Sequence, residues 1–568
     1  MVDAKVTVTP AVMQTKIPKT YLEYERYDST AYQVTATYNG KVLTERVTVD
    51  LSNKTAVEKS EYLYESGRIS ESEHIRVLCE QLTSGDDWDG GAQCYGTTLV
   101  AEITAYAETM SEDDPNYEII AATADSLNQG PEYVEEYVYR QGSNTFFRIH
   151  YGTMLNQNGV EVSAGTLQDA INLNSRLEHI KLFFCSQMGL KVPIGHIDSG
   201  VYDVYIVYDD YLPDAYATAT PVGSEGESYI TVRERAASQS SDDIPSGVIA
   251  HEFSHASMYV YQVLASKVST IANASDVSWM HESFASFFGC LYTLGRTYAN
   301  YSAFETAYFE GNGFNVTDEE TYINAIAASR VKKYLKSMYL SLNEVPTSGT
   351  YVNRHYGAML FPLYLYETDG GIAMIKRILV YYAYYYHPLF TIDNHGLSFE
   401  DSFDDYSKWV FTPTQNSKIN ASSWGMAEPY APISNYPYSL PRTNAPSLSC
   451  TWRKFIPPDN SAYTLTVTTS IYGLNSSTAA SLLTKYPTSS GSYVGGNSTM
   501  STGQIVSSRA GFGTVCSEFW VGFVNRSMDS TCTYYQTATI KATSTASYTN
   551  PIIEITSPLA YLGIVEED

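Results

Sequence analysis

No stretch of about 18 or more apolar residues occurs in the chain, so it holds no segment of the length that crosses a bilayer as a helix. Basic residues are scarce as well. Lysine and arginine number 35 against 62 aspartate and glutamate, a formal net charge of −27. A surface of that sign repels phosphate backbones and anionic lipid, which sets nucleic acid aside as a partner. The seven cysteines (79, 94, 185, 290, 450, 516, 532) are few, scattered and never in a CxxC pair. A thiolate zinc site and a disulfide scaffold are therefore not expected, although Cys79 with Cys94, or Cys516 with Cys532, could pair in an oxidising compartment. The opening Met1-Val2-Asp3-Ala4-Lys5 has no apolar leader core. The Tyr-, Ser- and Thr-rich acidic composition is nevertheless that of an exported protein. A secreted location is expected, with the signal peptide absent from this chain.

What is present is globular, with 44% hydrophobic and 17% charged residues. A chain of 568 residues exceeds one hydrophobic core, so several domains are expected. Residues 1–52 form a β-rich N-terminal segment, in which Tyr32–Tyr38 and Lys41–Val49 alternate around an Asn39-Gly40 turn. Residues 53–130 turn helical, with Ser70 and Glu73 opening an apolar-periodic stretch. Residues 131–428 alternate strands (146–151, 202–208, 228–232) with helices, one of them over 167–188. Residues 429–568 begin with a Pro-rich connector and continue as short alternating runs, which predict a β-sandwich. The fold class expected is multidomain α+β.

The chemistry sits after Ser241-Asp242-Asp243-Ile244-Pro245, a helix start. There Val248-Ile249-Ala250 lead into His251-Glu252-Phe253-Ser254-His255, an HExxH. Residues four apart share one helix face, so both imidazoles reach one zinc ion while Glu252 stands beside the open coordination position. A fortuitous match on a solvated helix face is the competing reading, and the apolar flanks weigh against it. Polar groups carried into an interior are costly unless something compensates them, and a metal does. After 26 intervening residues (256 through 281) comes Trp279-Met280-His281-Glu282-Ser283-Phe284-Ala285-Ser286, an apolar helix with one acid in it.

Together the two blocks resemble the gluzincin metallopeptidases, and among them the aminopeptidase N branch. The resemblance implies a two-lobed zincin catalytic domain of the thermolysin and aminopeptidase N type. It implies His251, His255 and Glu282 as zinc ligands and Glu252 as the base that activates the zinc-bound water. Zinc is the implied cofactor, and a peptide or protein the implied substrate. The spacer before Glu282 is longer than in that branch, and the GxMEN strand whose Glu grips a free amino terminus is missing. Its place before the helix is taken by Gly226-Glu227-Ser228-Tyr229-Ile230-Thr231-Val232-Arg233-Glu234. In zincins the corresponding strand pairs with the substrate backbone. Glu227 and Glu234 are available to grip an amine, with solvated surface positions as the alternative. An endopeptidase is expected over an aminopeptidase.

Gluzincins also carry a downstream Tyr or His that stabilises the oxyanion. In Arg354-His355-Tyr356-Gly357, Tyr356 is the first candidate donor and His355 the second. In a chain with 50 tyrosines, packing alone also accounts for a Tyr at a helix start. Ser286 stands where thermolysin-like enzymes carry an Asp that orients a ligand. A calcium-like run at 85–91 lacks the proper loop spacing and reads as a surface turn. The rival function is an inactive peptidase-like binding or adhesion protein, with the C-terminal β domain docking a surface or glycan.

Overall fold

A computed structural model describes residues 5–10, 18–19, 23–24, 26–38, 41–52, 56–83, 103, 106–107, 109–142, 145–156, 158–197, 200–212, 215–222, 226–239, 243–266, 274–311, 314–316, 320–342, 354–385, 399–411, 418–421, 431–473, 480–487, 493–500, 503–527, 531–542 and 552–556. The chain divides into two compact units, residues 1–267 with 346–353 and residues 268–345 with 354–568. Both mix helices and sheets, so the protein is a multidomain α/β chain. No described helix is long and apolar enough to cross a membrane.

The first unit begins with three antiparallel strands, β1 (Lys5–Pro10), β2 (Ser29–Tyr38) and β3 (Lys41–Asp50). The pairing of Tyr38 with Lys41 agrees with the expected hairpin, whose Asn39-Gly40 turn lies outside the described residues. Helices α1 (Ala56–Glu65), α2 (Glu71–Thr83) and α3 (Tyr117–Gln129) follow. Ser70 Oγ accepts the Glu73 N–H at 3.2 Å and so caps α2. The calcium-like run at 85–91 lies outside the described residues.

A seven-stranded sheet forms the centre of this unit. Its strands are β4 (Glu135–Tyr139), β5 (Phe147–Leu155), β6 (Glu161–Ala164), β7 (Ile194–Gly195), β8 (Tyr202–Val207), β9 (Ala217–Val222) and β10 (Glu227–Arg233). They run in the order β4-β5-β8-β10-β7, with β6 beside β5 and β9 beside β10. The parallel core of β5, β8 and β10 requires crossovers, and α4 (Leu167–Lys181) supplies the first. Thr166 and Asp169 close a reciprocal capping box at its start. The β8 strand is buried along its whole length, as a strand covered on both faces must be. Helix α5 (Asp243–Ser266) packs against β9, β10 and α4.

The second unit opens with α6 (Ala274–Gly295) and continues through α7 (Ala328–Lys336), the short α8 (Arg354–Gly357) and α9 (Leu360–Thr368), among further helices and a small parallel pair, β11 (Phe314–Val316) with β12 (Ile419–Ala421). A β-sandwich closes it. The larger sheet runs β13 (Tyr438–Ser439), β21 (Cys532–Ala542), β16 (Tyr463–Tyr472), β19 (Gly503–Phe512), β22 (Ile552–Thr556), with β14 (Thr443–Ala445) beside β21. The smaller runs β15 (Ser449–Phe455), β20 (Phe519–Asn525), β17 (Ala480–Pro487), β18 (Tyr493–Met500). Phe455, Leu482 and Val521 of the smaller sheet share one core with Leu465, Val467, Ile505 and Ala538 of the larger. Cys516 and Cys532 are both free and sit in different core clusters, so the pairing the sequence left open to them is not made. Cys79 is buried, and Cys94 lies outside the described residues.

Candidate metal centre

Helix α5 is apolar on most of its surface. Ile249, Ala250, Phe253 and Ala256 are buried, and Phe253 meets the rings of Phe147 and Phe184 at 6.2 Å each. A helix buried this way carries its polar residues inward, and His251, Glu252 and His255 are 4%, 8% and 0% exposed. The Nε2 atoms of His251 and His255 stand 3.1 Å apart. Two nitrogens bound to one tetrahedral zinc at about 2.0–2.1 Å are separated by about 3.3 Å. The pair therefore fits a shared ion without rearrangement of the helix.

Glu252 is held by the sheet. The backbone N–H of Ala219 on β9 donates to Glu252 Oε2 at 2.9 Å, and Glu252 Oε1 lies 4.0 Å from His251 Nε2. One carboxylate oxygen is thus fixed by the main chain while the other faces the imidazoles. The Tyr259 hydroxyl, one helical turn beyond His255, donates to Ala219 O at 3.4 Å.

These contacts correct the expected substrate-pairing strand. That role was expected of 226–234, but β10 pairs with β7 and β8 along one side and with β9 along the other. Its hydrogen-bonding edges are occupied because β9 folds back antiparallel beside it. Among the described strands β9 bonds to β10 alone, and β9 is the strand that touches Glu252. Pro221 accords with an edge, since its register partner Ser228 belongs to the non-bonded set and no ladder N–H is lost. The β9 residues are Ala217, Thr218, Ala219, Thr220, Pro221 and Val222, with no carboxylate among them. Glu227 is half-buried at the start of β10, and Glu234 is half-buried as well and accepts from Ser163 Oγ at 2.8 Å. Sequence reasoning missed Ala219 because its contribution is a main-chain amide; Pro221 was the one signal of an edge.

In the second unit Glu282 lies on α6 and is 3% exposed among Trp279, Met280, Phe284 and Ala285, all buried. His281 is half-buried, and Ser286 Oγ is buried with no hydrogen-bond partner. His251 and His255 in the first unit and Glu282 in the second could each offer one ligand atom to a metal ion.

His355 and Tyr356 occupy α8, 1% and 7% exposed. Arg354 anchors this turn from within, donating Nε to Ser337 Oγ and Nη1 to Ser341 O, each at 2.8 Å. The Arg330 guanidinium covers the Tyr356 ring at 3.9 Å from its centre. A Cβ on Gly357 would stand 2.2 Å from Arg330 O, so the Gly that directly follows Tyr356 is required by that close approach. Neighbouring helical residues point about 100° apart, so His355 and Tyr356 present themselves in different directions.

Compared with known proteins, the chain matches no family model and none of the curated proteins.

Proposed function

We propose that the protein is a zinc-dependent peptidase of the zincin type, with His251, His255 and Glu282 as metal ligands and Glu252 as general base. The observation that carries the reading is the imidazole pair on α5, 3.1 Å apart and buried, beside a carboxylate that the sheet holds by one oxygen. A zinc ion bound there would lower the pKa of its water and polarise the substrate carbonyl. Glu252 would act as the base through Oε1, the oxygen not bonded to Ala219, taking a proton there and later returning it to the departing amine. Its anchor on β9 keeps that oxygen aimed while the proton moves.

An extended peptide laid beside β9 would run past Glu252. No β9 side chain carries a charge to grip a free amino terminus, which supports an endopeptidase over an aminopeptidase. Tyr356 and His355 are the proposed oxyanion donors, in that order.

Elemental analysis of the wild type and of Glu282→Ala, beside cleavage of a mixed peptide library, tests the reading. The expected result is about one zinc per wild-type chain, a marked loss in the variant, and cleavage by the wild type alone. A wild type that takes up no zinc when supplied with it overturns the proposal. Zinc binding without cleavage would favour an inactive peptidase-like binding protein.

A further inference from the structure

The edge of the central sheet opposite β9 is built differently. Strand β4 hydrogen-bonds to β5 alone among the described strands, and its residues Glu135, Glu136, Tyr137 and Val138 are all exposed. Three large apolar side chains here show about half their surface: Val134 at 50%, Tyr137 at 48% and Val138 at 49%. Residues 134–140 contain no Pro and no Lys, two usual protections of a free edge, and the charges they do carry are Glu135, Glu136 and Arg140. The ribbon is nevertheless well ordered from behind. Tyr137 stacks on Tyr151 of β5 at 5.6 Å, and Glu136 Oε1 bonds His150 Nδ1 at 2.5 Å.

The sequence of this edge is complementary to itself. Glu136-Tyr137-Val138-Tyr139-Arg140, laid antiparallel on a second copy with Val138 at the two-fold axis, sets Glu136 opposite Arg140 and Tyr137 opposite Tyr139 at both ends. Opposite charges and aromatic pairs are the favourable cross-strand contacts, and like charges the unfavourable ones. Centring the pair on Glu136 or Glu135 instead would set carboxylate on carboxylate. One register is therefore preferred. Arg140 is exposed, with Nη2 donating to Thr145 O at 3.0 Å, and half of the Glu136 side chain faces solvent, so both can take a further partner.

We propose that β4 is the interface of a homodimer, pairing antiparallel with β4 of a second copy in the register centred on Val138. The two seven-stranded sheets then continue as one across the two-fold axis, and both exposed edges disappear. A C2 contact of this kind is isologous, each end repeating the other. Each copy brings a net charge of −27, and at about 0.15 M salt that repulsion is screened beyond about 8 Å while the strand contacts are not. A ladder of this length is small for a stable interface, so a dissociation constant of about 10–100 µM is expected. The inference stands independently of the metal centre.

Sedimentation equilibrium on the full chain tests it. The wild type should be a monomer–dimer mixture at about 50 µM, while Arg140→Glu and Glu136→Arg should each be monomeric because like charges then meet at both ends of the ladder. Mixing the two variants should restore a dimer, since opposite charges again meet at both ends. A wild type that stays monomeric to about 500 µM overturns the proposal. So do variants that dimerise like the wild type, or two folded variants that fail to combine. Should Glu136→Arg not fold, amide exchange of the wild type serves instead. Residues 134–140 must gain protection as concentration rises, and unchanged exchange there overturns the proposal.

Discussion

Ala219 donates its main-chain N–H to Glu252 Oε2 at 2.9 Å, which ties the proposed general base to an edge strand. Removing that one donor tests whether the tie matters. Ala219→Pro deletes the N–H at a position whose amide points away from β10, so the ladder is kept. A hydrogen bond to a carboxylate contributes about 1.5–3 kcal/mol, and kcat for peptide hydrolysis should fall about 10- to 100-fold. Zinc content should not change. An unaltered kcat would show that Glu252 needs no such anchor.

Glu252→Gln separates metal binding from chemistry. The amide keeps the shape of the side chain and removes the base, so hydrolysis should drop about 10²- to 10⁴-fold. Zinc stoichiometry should match the wild type, because Glu252 is not among the proposed ligands. Metal content and single-turnover cleavage, measured on one preparation, check both halves.

His74 on α2 predicts an acid-sensitive helical region. Burial pushes its pKa down to about 4, and its Nδ1 lies 2.9 Å from Ser60 Oγ, with the ring stacked on Tyr64. The unfolded chain has the ordinary value near 6.5 and binds the proton first. Stability is therefore full above about pH 6.5 and is lost as pH falls toward 4, by up to about 3 kcal/mol. Urea unfolding at pH 7 and pH 5 should show the loss, and His74→Gln should flatten it.

Gly357→Ala should destabilise the second unit. The added methyl meets Arg330 O, and overpacking of this kind costs about 1–3 kcal/mol. Displacement of α8 also moves His355 and Tyr356. If either is the oxyanion donor, the variant should lose kcat by more than its melting temperature alone accounts for. A full kcat in a folded variant would argue that neither residue takes part.

Local rules made much of this protein legible before any coordinates. The β2–β3 hairpin, the capped start of α2 and the alternation of the C-terminal strands are short-range patterns that neighbouring residues impose on the backbone. Both halves of the proposed metal site could be read the same way. A four-residue helical spacing brings two imidazoles to one face, and an isolated acid in an apolar helix is unfavourable without a partner.

Sequence by itself thus pointed to the residues proposed to carry the chemistry and determined that His251, Glu252, His255 and Glu282 ride on helices. Tertiary structure alone decided which strand lies beside Glu252, because strand order depends on pairings between distant segments and leaves no local mark. The adjacent 226–234 was the natural choice from the chain, yet β9 covers its edge. The donor that holds Glu252 is a backbone amide, identical in every residue but proline, and only the fold could say which one it is.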